Sequence, residues 1–323
     1  MPKKIRAIDA AWPNTEDINL NDSLNAPDLD AHVKKCAAAV TEALKIPPPG
    51  YSKEQAIHMS WLFDAMRFTH STIRSLVAKG TKSPECVDAL ALARQQLEAL
   101  YSVCLMVQDP SYVDIYLKSF WRDAYVQFLL QRLEQQGLPR FSQYLNQTGL
   151  PLIELIRVQA GVTEEEKATV EFEELGTPLP AGMKIVKIKP FPTPGGVIDE
   201  VSHPDRKRML IRLYPEYKRL CAYAHGSAQS LIAKTSMWEA SPLRKLHTEG
   251  EREDKYMKEI VDPAFVFSFL PMVQAVSEVS ALYPADVELA RVVIEAWNLL
   301  SKMNLLGKII WDIRGRSSLG VIA

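Results

Sequence analysis

Two segments of the chain place polar residues where a helical pattern calls for apolar ones. Between Ser83 and Gln108 the stripe reads Val87, Leu90, Arg94, Leu97, Glu98, Tyr101 and Leu105. Arg94 and Glu98 are four residues apart, so on a helix both project from the core-facing stripe, one turn above the other. Asp88, Gln95, Ala99 and Ser102 mark the side expected to face solvent. Burying a charged pair costs several kcal/mol per ion before the pairing offsets it. A chain keeps such a pair within a network, often a functional one. The second segment runs from Tyr214 to Ala228, and on a helix Tyr214, Lys218, Cys221 and His225 share one face. Arg219 lies roughly 120° around the helix from His225, within reach of a long side chain. Gly226, Ser227 and Ala228 are small enough for another backbone to come close. The residue types suit proton transfer and anion binding: an imidazole that titrates near neutrality, beside guanidinium and ammonium groups.

Other chemistries find no support in the residue spacing. His58, His70 and His247 have no partner at metal-ligand spacing, and neither H-x-x-x-H nor H-E-x-x-H occurs, so no metal is expected. The sequence contains no P-loop, no G-x-G-x-x-G and no G-x-S-x-G, so no nucleotide cofactor or serine nucleophile elbow is expected. Gly195 and Gly196 sit among prolines and read as a turn.

Arg219 followed after five residues by His225, in a late helix of a helical chain, resembles the R-x(4–6)-H motif of the HEPN superfamily of helical-bundle ribonucleases. An Arg94/Glu98 helix paired with a later Tyr-to-His helix is also similar to bacterial families of unknown function near that superfamily. HEPN nucleases usually carry a small polar residue after the arginine, where this chain has Leu220. The resemblance implies a homodimer that cleaves RNA without a metal, in a toxin or defence role. It makes His225 the proton-transfer group and Arg219 or Lys218 the phosphate-binding group. Tyr217 or Tyr223 would donate a hydrogen bond, and Arg94 and Glu98 would complete the substrate site. The residues also admit a second reading. In it the protein is a non-catalytic helical module whose Arg94/Glu98/His225 network is structural or binds a small anion.

The elements that would position these groups are helices. Apolar residues recur at three- and four-residue spacing from Leu29 to Leu44, from Met59 to Val77, and again from Ser83 to Gln108. Ser52 is a helix N-cap, and Ser83 followed by Pro84 is another start signal. An aromatic-rich helix follows Pro110, and a shorter one lies between Arg140 and Gln159. Pro215 predicts a break between a helix at 204–213 and a second one reaching about Lys234. Two long helices close the chain, near 262–282 and 285–313. The expected fold is a single large all-α bundle of about eight helices. Its parts are a leader at 1–28, helical halves at 29–160 and 202–323, and an irregular insertion at 161–201. Met183 to Lys189 within the insertion suits a short strand or hairpin.

Composition sets the outer bounds. The 323 residues carry 38 Lys plus Arg against 39 Asp plus Glu, so the chain is not basic all over in the manner of a histone. The charges are segregated, however: 163–174 is acidic, while 204–219 and the C-terminal end are basic and suit an RNA-facing surface. Four cysteines without a C-x-x-C pair, and a start without an apolar signal region, predict a cytoplasmic protein with free thiols. The apolar stretch 264–283 is interrupted by Pro271, Gln274 and Glu278, and reads as a buried core helix rather than a membrane span.

Overall fold

The computed structural model describes residues 27–79, 83–134, 150–163, 191–224, 228–237, 248–303 and 305–315. These residues form an all-α bundle, with no strand among them. The helices are α1 (Pro27–Ala43), α2 (Lys53–Val77), α3 (Asp88–Gln108), α4 (Ser111–Glu134), α5 (Leu150–Ala160) and α6 (Pro194–Glu200). Then come α7 (Pro204–Ala224), α8 (Ala228–Met237), α9 (Glu249–Tyr256), α10 (Asp262–Ser280), α11 (Val287–Met303) and α12 (Leu305–Ile310). A single 3-10 turn, Pro84–Val87, leads into α3, and π-turns at Met257–Val261 and Trp311–Gly315 precede α10 and follow α12.

Two helices form the centre. In α3, every residue from Leu97 to Val107 except Glu98 is buried, and in α10 every residue from Phe267 to Ser280 is. A helix apolar on all sides has no solvent face to offer, so it is stable only inside a protein. α3 and α10 pack along one another, with α2 and α7 also against α3, and α1, α2 and α11 also against α10. The 264–283 stretch is therefore the heart of the core, although Lys258–Ser280 is long and apolar enough to cross a membrane. Ala99 and Ser102, expected on the solvent side of α3, are buried. The reason is that neighbours cover this helix on several sides, so its stripe does not mark its one buried face. A smaller cluster of Tyr125, Ile153, Ile156, Ala160 and Val162 joins α4 to α5.

Local signals explain most boundaries. Ser52 caps α2 in a reciprocal capping box with Gln55, each side chain bonded to the other's backbone N–H. α1 starts at Pro27, inside the expected leader, whose preceding residues lie outside the described ones. Gly195 and Gly196 do not form a turn. Thr193 caps a short helix with Pro194 in its first turn, and both glycines lie within it. Tyr214 explains Gly195, since its hydroxyl would stand 3.2 Å from a side-chain carbon there. Pro215 does not break its helix either, because α7 is continuous through it. Leu210, Leu213, Tyr217 and Leu220 bury one face of α7 on both sides of the proline, and this packing holds the helix together despite the lost hydrogen bond. The expected strand at Met183–Lys189 lies outside the described residues.

Candidate functional site

α3 and α7 pack directly, and the polar residues of both helices meet at their contact. Arg94 Nη2 donates to Glu98 Oε1 at 2.7 Å, and the Tyr217 hydroxyl donates to the same oxygen at 3.0 Å. The guanidinium carbon of Arg94 lies 5.7 Å from the centre of the Tyr217 ring, a cation–π distance. The Tyr217 ring is itself held between Tyr101 and Tyr214, with centroids at 6.2 Å and 5.9 Å. Tyr101 is fixed in turn by its hydroxyl, which donates to the Leu210 carbonyl at 2.6 Å. The site therefore rests on a rigid aromatic stack spanning two helices.

The pair is not a sealed core feature. The Arg94 and Glu98 side chains keep 20% and 32% exposure, so the cluster opens at the edge of the bundle. Yet Arg94 Nε is itself shielded and finds no hydrogen-bond acceptor among the described residues. A guanidinium donor left in that state costs free energy unless an acceptor reaches it. Burial opposes the charge on Arg94, but Tyr217 and Glu98 outweigh it and hold the guanidinium more firmly protonated than usual. Burial also pushes the Tyr217 phenol up, with Cys221 and Glu98 adding to the rise and Arg94 opposing it, so this hydroxyl is a hydrogen-bond donor and not a proton-transfer base.

The other expected site residues are placed differently. Arg219 Nε donates to Glu216 Oε2 at 2.8 Å, and the Glu216 side chain is only 10% exposed, so the arginine's charge is matched one turn back on its own helix. Lys218 is exposed, whereas Tyr223 is buried. His225 lies outside the described residues, one position beyond the end of α7. The described partners of Glu98 in this cluster are Arg94 and Tyr217.

Two further polar clusters escaped the sequence reading. Glu278 on α10 is fully buried and accepts from two arginines. Arg206 at the start of α7 gives Nε and Nη2 bonds of 2.9 Å and 2.8 Å, and Arg314 after α12 gives bonds of 2.8 Å and 2.9 Å. Gln274 Nε2 adds a bond of 2.9 Å. Burial alone would raise the carboxyl's pKa, but the arginines more than offset it and hold it below the ordinary carboxylate range. Arg206 and Arg314 belong to the basic runs expected to face RNA, but they are interior residues, 6% and 4% exposed, because both turn inward to Glu278. The one available sign was Glu278 itself, a carboxylate inside an otherwise apolar run.

The second cluster joins three helices. His70 Nε2 lies 3.0 Å from Asp30 Oδ1, and His70 Nδ1 lies 3.0 Å from Ser268 Oγ. Carboxylate, imidazole and hydroxyl are the members of a hydrolytic triad. Here the serine is 0% exposed and its hydroxyl is also 2.9 Å from the Phe265 carbonyl, so no substrate reaches it. The chain of bonds ties α1, α2 and α10 together.

Among the described residues no group of three or more His, Cys, Asp or Glu could hold a metal ion. All four cysteines are free thiols. No family model matches the chain, no curated protein matches it, and no solved structure matches it.

Proposed function

We propose that the Arg94–Glu98–Tyr217 cluster is the phosphate-binding part of a HEPN-like site that cleaves RNA without a metal, with His225 as the proton-transfer group. The observation that carries this reading is Arg94: a guanidinium fixed by Glu98 and still partly exposed at the edge of the bundle. It sits beside the helix whose next residue is His225. Arginine is suited to a phosphate because its fork of donors matches the oxygens of the group. In this scheme Glu98 and Tyr217 orient Arg94, whose exposed part meets the phosphate. His225 takes the proton of the ribose 2′-hydroxyl as the 2′-oxygen attacks phosphorus. The bond from phosphorus to the 5′-oxygen breaks, and that oxygen takes up a proton returned by protonated His225 directly or through water, leaving a cyclic phosphate and a 5′-hydroxyl. Exposed Lys218 strengthens the local positive field, and Arg219 contributes less because Glu216 neutralises it.

The second reading is a non-catalytic module whose Arg94/Glu98/His225 network is structural or binds a small anion. Its structural form is favoured by the balance of charge, since Glu98 already neutralises Arg94. One experiment addresses both. The purified protein is incubated with total RNA in EDTA, beside His225→Ala and Arg94→Ala, and each variant is checked for native helicity. Cleavage should fall by about 10²- to 10⁴-fold in His225→Ala and by about 10²- to 10³-fold in Arg94→Ala. Cleavage that survives His225→Ala rejects the mechanism. Phosphate binding without cleavage, lost in Arg94→Ala, selects the second reading.

A further inference from the structure

α2 is apolar on two faces, and among the described residues only one of them packs into the core. Met59, Leu62, Phe63, Met66, Ile73 and Val77 face the core. On the opposite side Ile57, Trp61, Ala65 and Phe68 follow one another along a single exposed stripe. Ile57, Trp61 and Phe68 are 41%, 58% and 60% exposed. Exposed apolar residues scattered singly are ordinary, but an aligned row containing two large aromatics marks an interaction surface. Neighbouring groups widen the row. The Arg67 guanidinium lies 4.3 Å from the centre of the Phe68 ring, and the His58 ring is 4.8 Å from that of Trp61.

We propose that this face binds a second copy of the chain, with two α2 helices packed antiparallel about a two-fold axis beside Ala65. The pattern is self-complementary about that axis. It sets Trp61 against Phe68 of the partner subunit and Ile57 against Thr72 of the partner subunit. The smallest side chain of the row, Ala65, falls where the helices must come closest. The charges fit the same symmetry. Around the centre of the stripe one flank carries Asp64 and Arg67, loosely paired at 3.5 Å and partly exposed, while the other carries His58 and Thr69. An antiparallel two-fold brings like flanks together. Asp64 therefore meets Arg67 of the partner subunit, and the reverse contact forms by symmetry. The antiparallel helix dipoles also oppose each other favourably. The stripe occupies the middle of a helix that is 25 residues, or about 37 Å, long. An interface of that extent lies at the small end of stable ones, so association in the micromolar range is expected.

The test is sedimentation velocity of the full chain from low to high micromolar concentration. The native chain should dimerise, and Trp61→Glu and Phe68→Glu should each be monomeric with unchanged helicity, because both side chains are exposed. Asp64→Arg and Arg67→Asp should each weaken the dimer, and the two together should restore it. Ala65→Cys in a Cys221→Ser background should give a reducible cross-linked dimer on mild oxidation, which Cys221→Ser alone, with Cys36, Cys86 and Cys104 buried and the half-exposed Cys221 thiol removed, does not. A native chain that stays monomeric, a dimer that persists in both glutamate variants, or an Ala65→Cys chain that fails to cross-link overturns the proposal. The RNA assay is a separate readout, since this face stands independently of the Arg94 site.

Discussion

At the residue scale, the largest single electrostatic commitment is Glu278. It is enclosed by two arginines and a glutamine with no exposure to water. Glu278→Gln keeps the shape and removes the charge, taking from two buried guanidinium groups the carboxylate they share. The loss should be about 3–5 kcal/mol, read as a lowered urea midpoint. Replacing Arg206, Glu278 and Arg314 together by apolar residues of similar size should cost less than Glu278→Gln alone, because no uncompensated charge remains. A triple variant less stable than the single one would show that the network contributes more than charge balance. Arg94 presents the opposite case. Its partners fix its direction, and its side chain stays partly exposed at the edge of the bundle.

At the element scale, α7 carries both clusters. Arg206 near its start reaches into the core, and Tyr217 three turns later faces the open edge. Pro215 lies between them, exposed on the outer side of the helix. Pro215→Ala restores a backbone donor and removes the clash with the preceding turn, while giving the unfolded chain more freedom. The net should be a gain of about 1–2 kcal/mol in unfolding free energy. A loss would show that the bend at Pro215 is required to bring Tyr217 onto Glu98. The spacing of apolar residues located these helices because each lays an apolar stripe against the centre. It misjudged α3, where Ala99 and Ser102 are small enough to pass for surface residues and are covered by neighbouring helices. It also misjudged Gly195 and Gly196, whose reading as a turn was overridden by the Thr193 cap and Pro194.

At the scale of the whole molecule, stability should fall in mild acid. Burial pushes the His70 imidazole below its ordinary range, with Arg74 acting in the same direction and Asp30 opposing. A histidine whose pKa is lower in the folded state contributes stability that is complete above about pH 6.5. That contribution is lost as pH falls through this value towards the folded pKa. The urea midpoint should therefore drop between pH 7 and pH 5, and His70→Gln should flatten the drop. Burial and the charges of Arg314 and Arg206 shift His203 the same way, so a residual slope is expected in that variant. An unchanged slope in His70→Gln would remove His70 from the account. Dimerisation through α2 acts at the same scale, and it should make the unfolding midpoint rise with protein concentration.

Sequence alone was sufficient for the fold class, since helical spacing, caps and scarce glycine are local properties of a chain. It also singled out Arg94, Glu98 and Tyr217 by type and position. Which of these meet was decided only by tertiary packing. The hydroxyl of Tyr217 reaches Glu98 across two helices far apart in sequence, and Arg219 turns instead to Glu216 on its own helix. The same holds for Arg206 and Arg314. In sequence they belong to basic runs, and only the packing of α7 and the C-terminal turn around α10 makes them counter-ions of Glu278. Periodicity shows which face of a helix is apolar. It carries no information on which other helix will cover that face, and that choice set the arginine partners of Glu278.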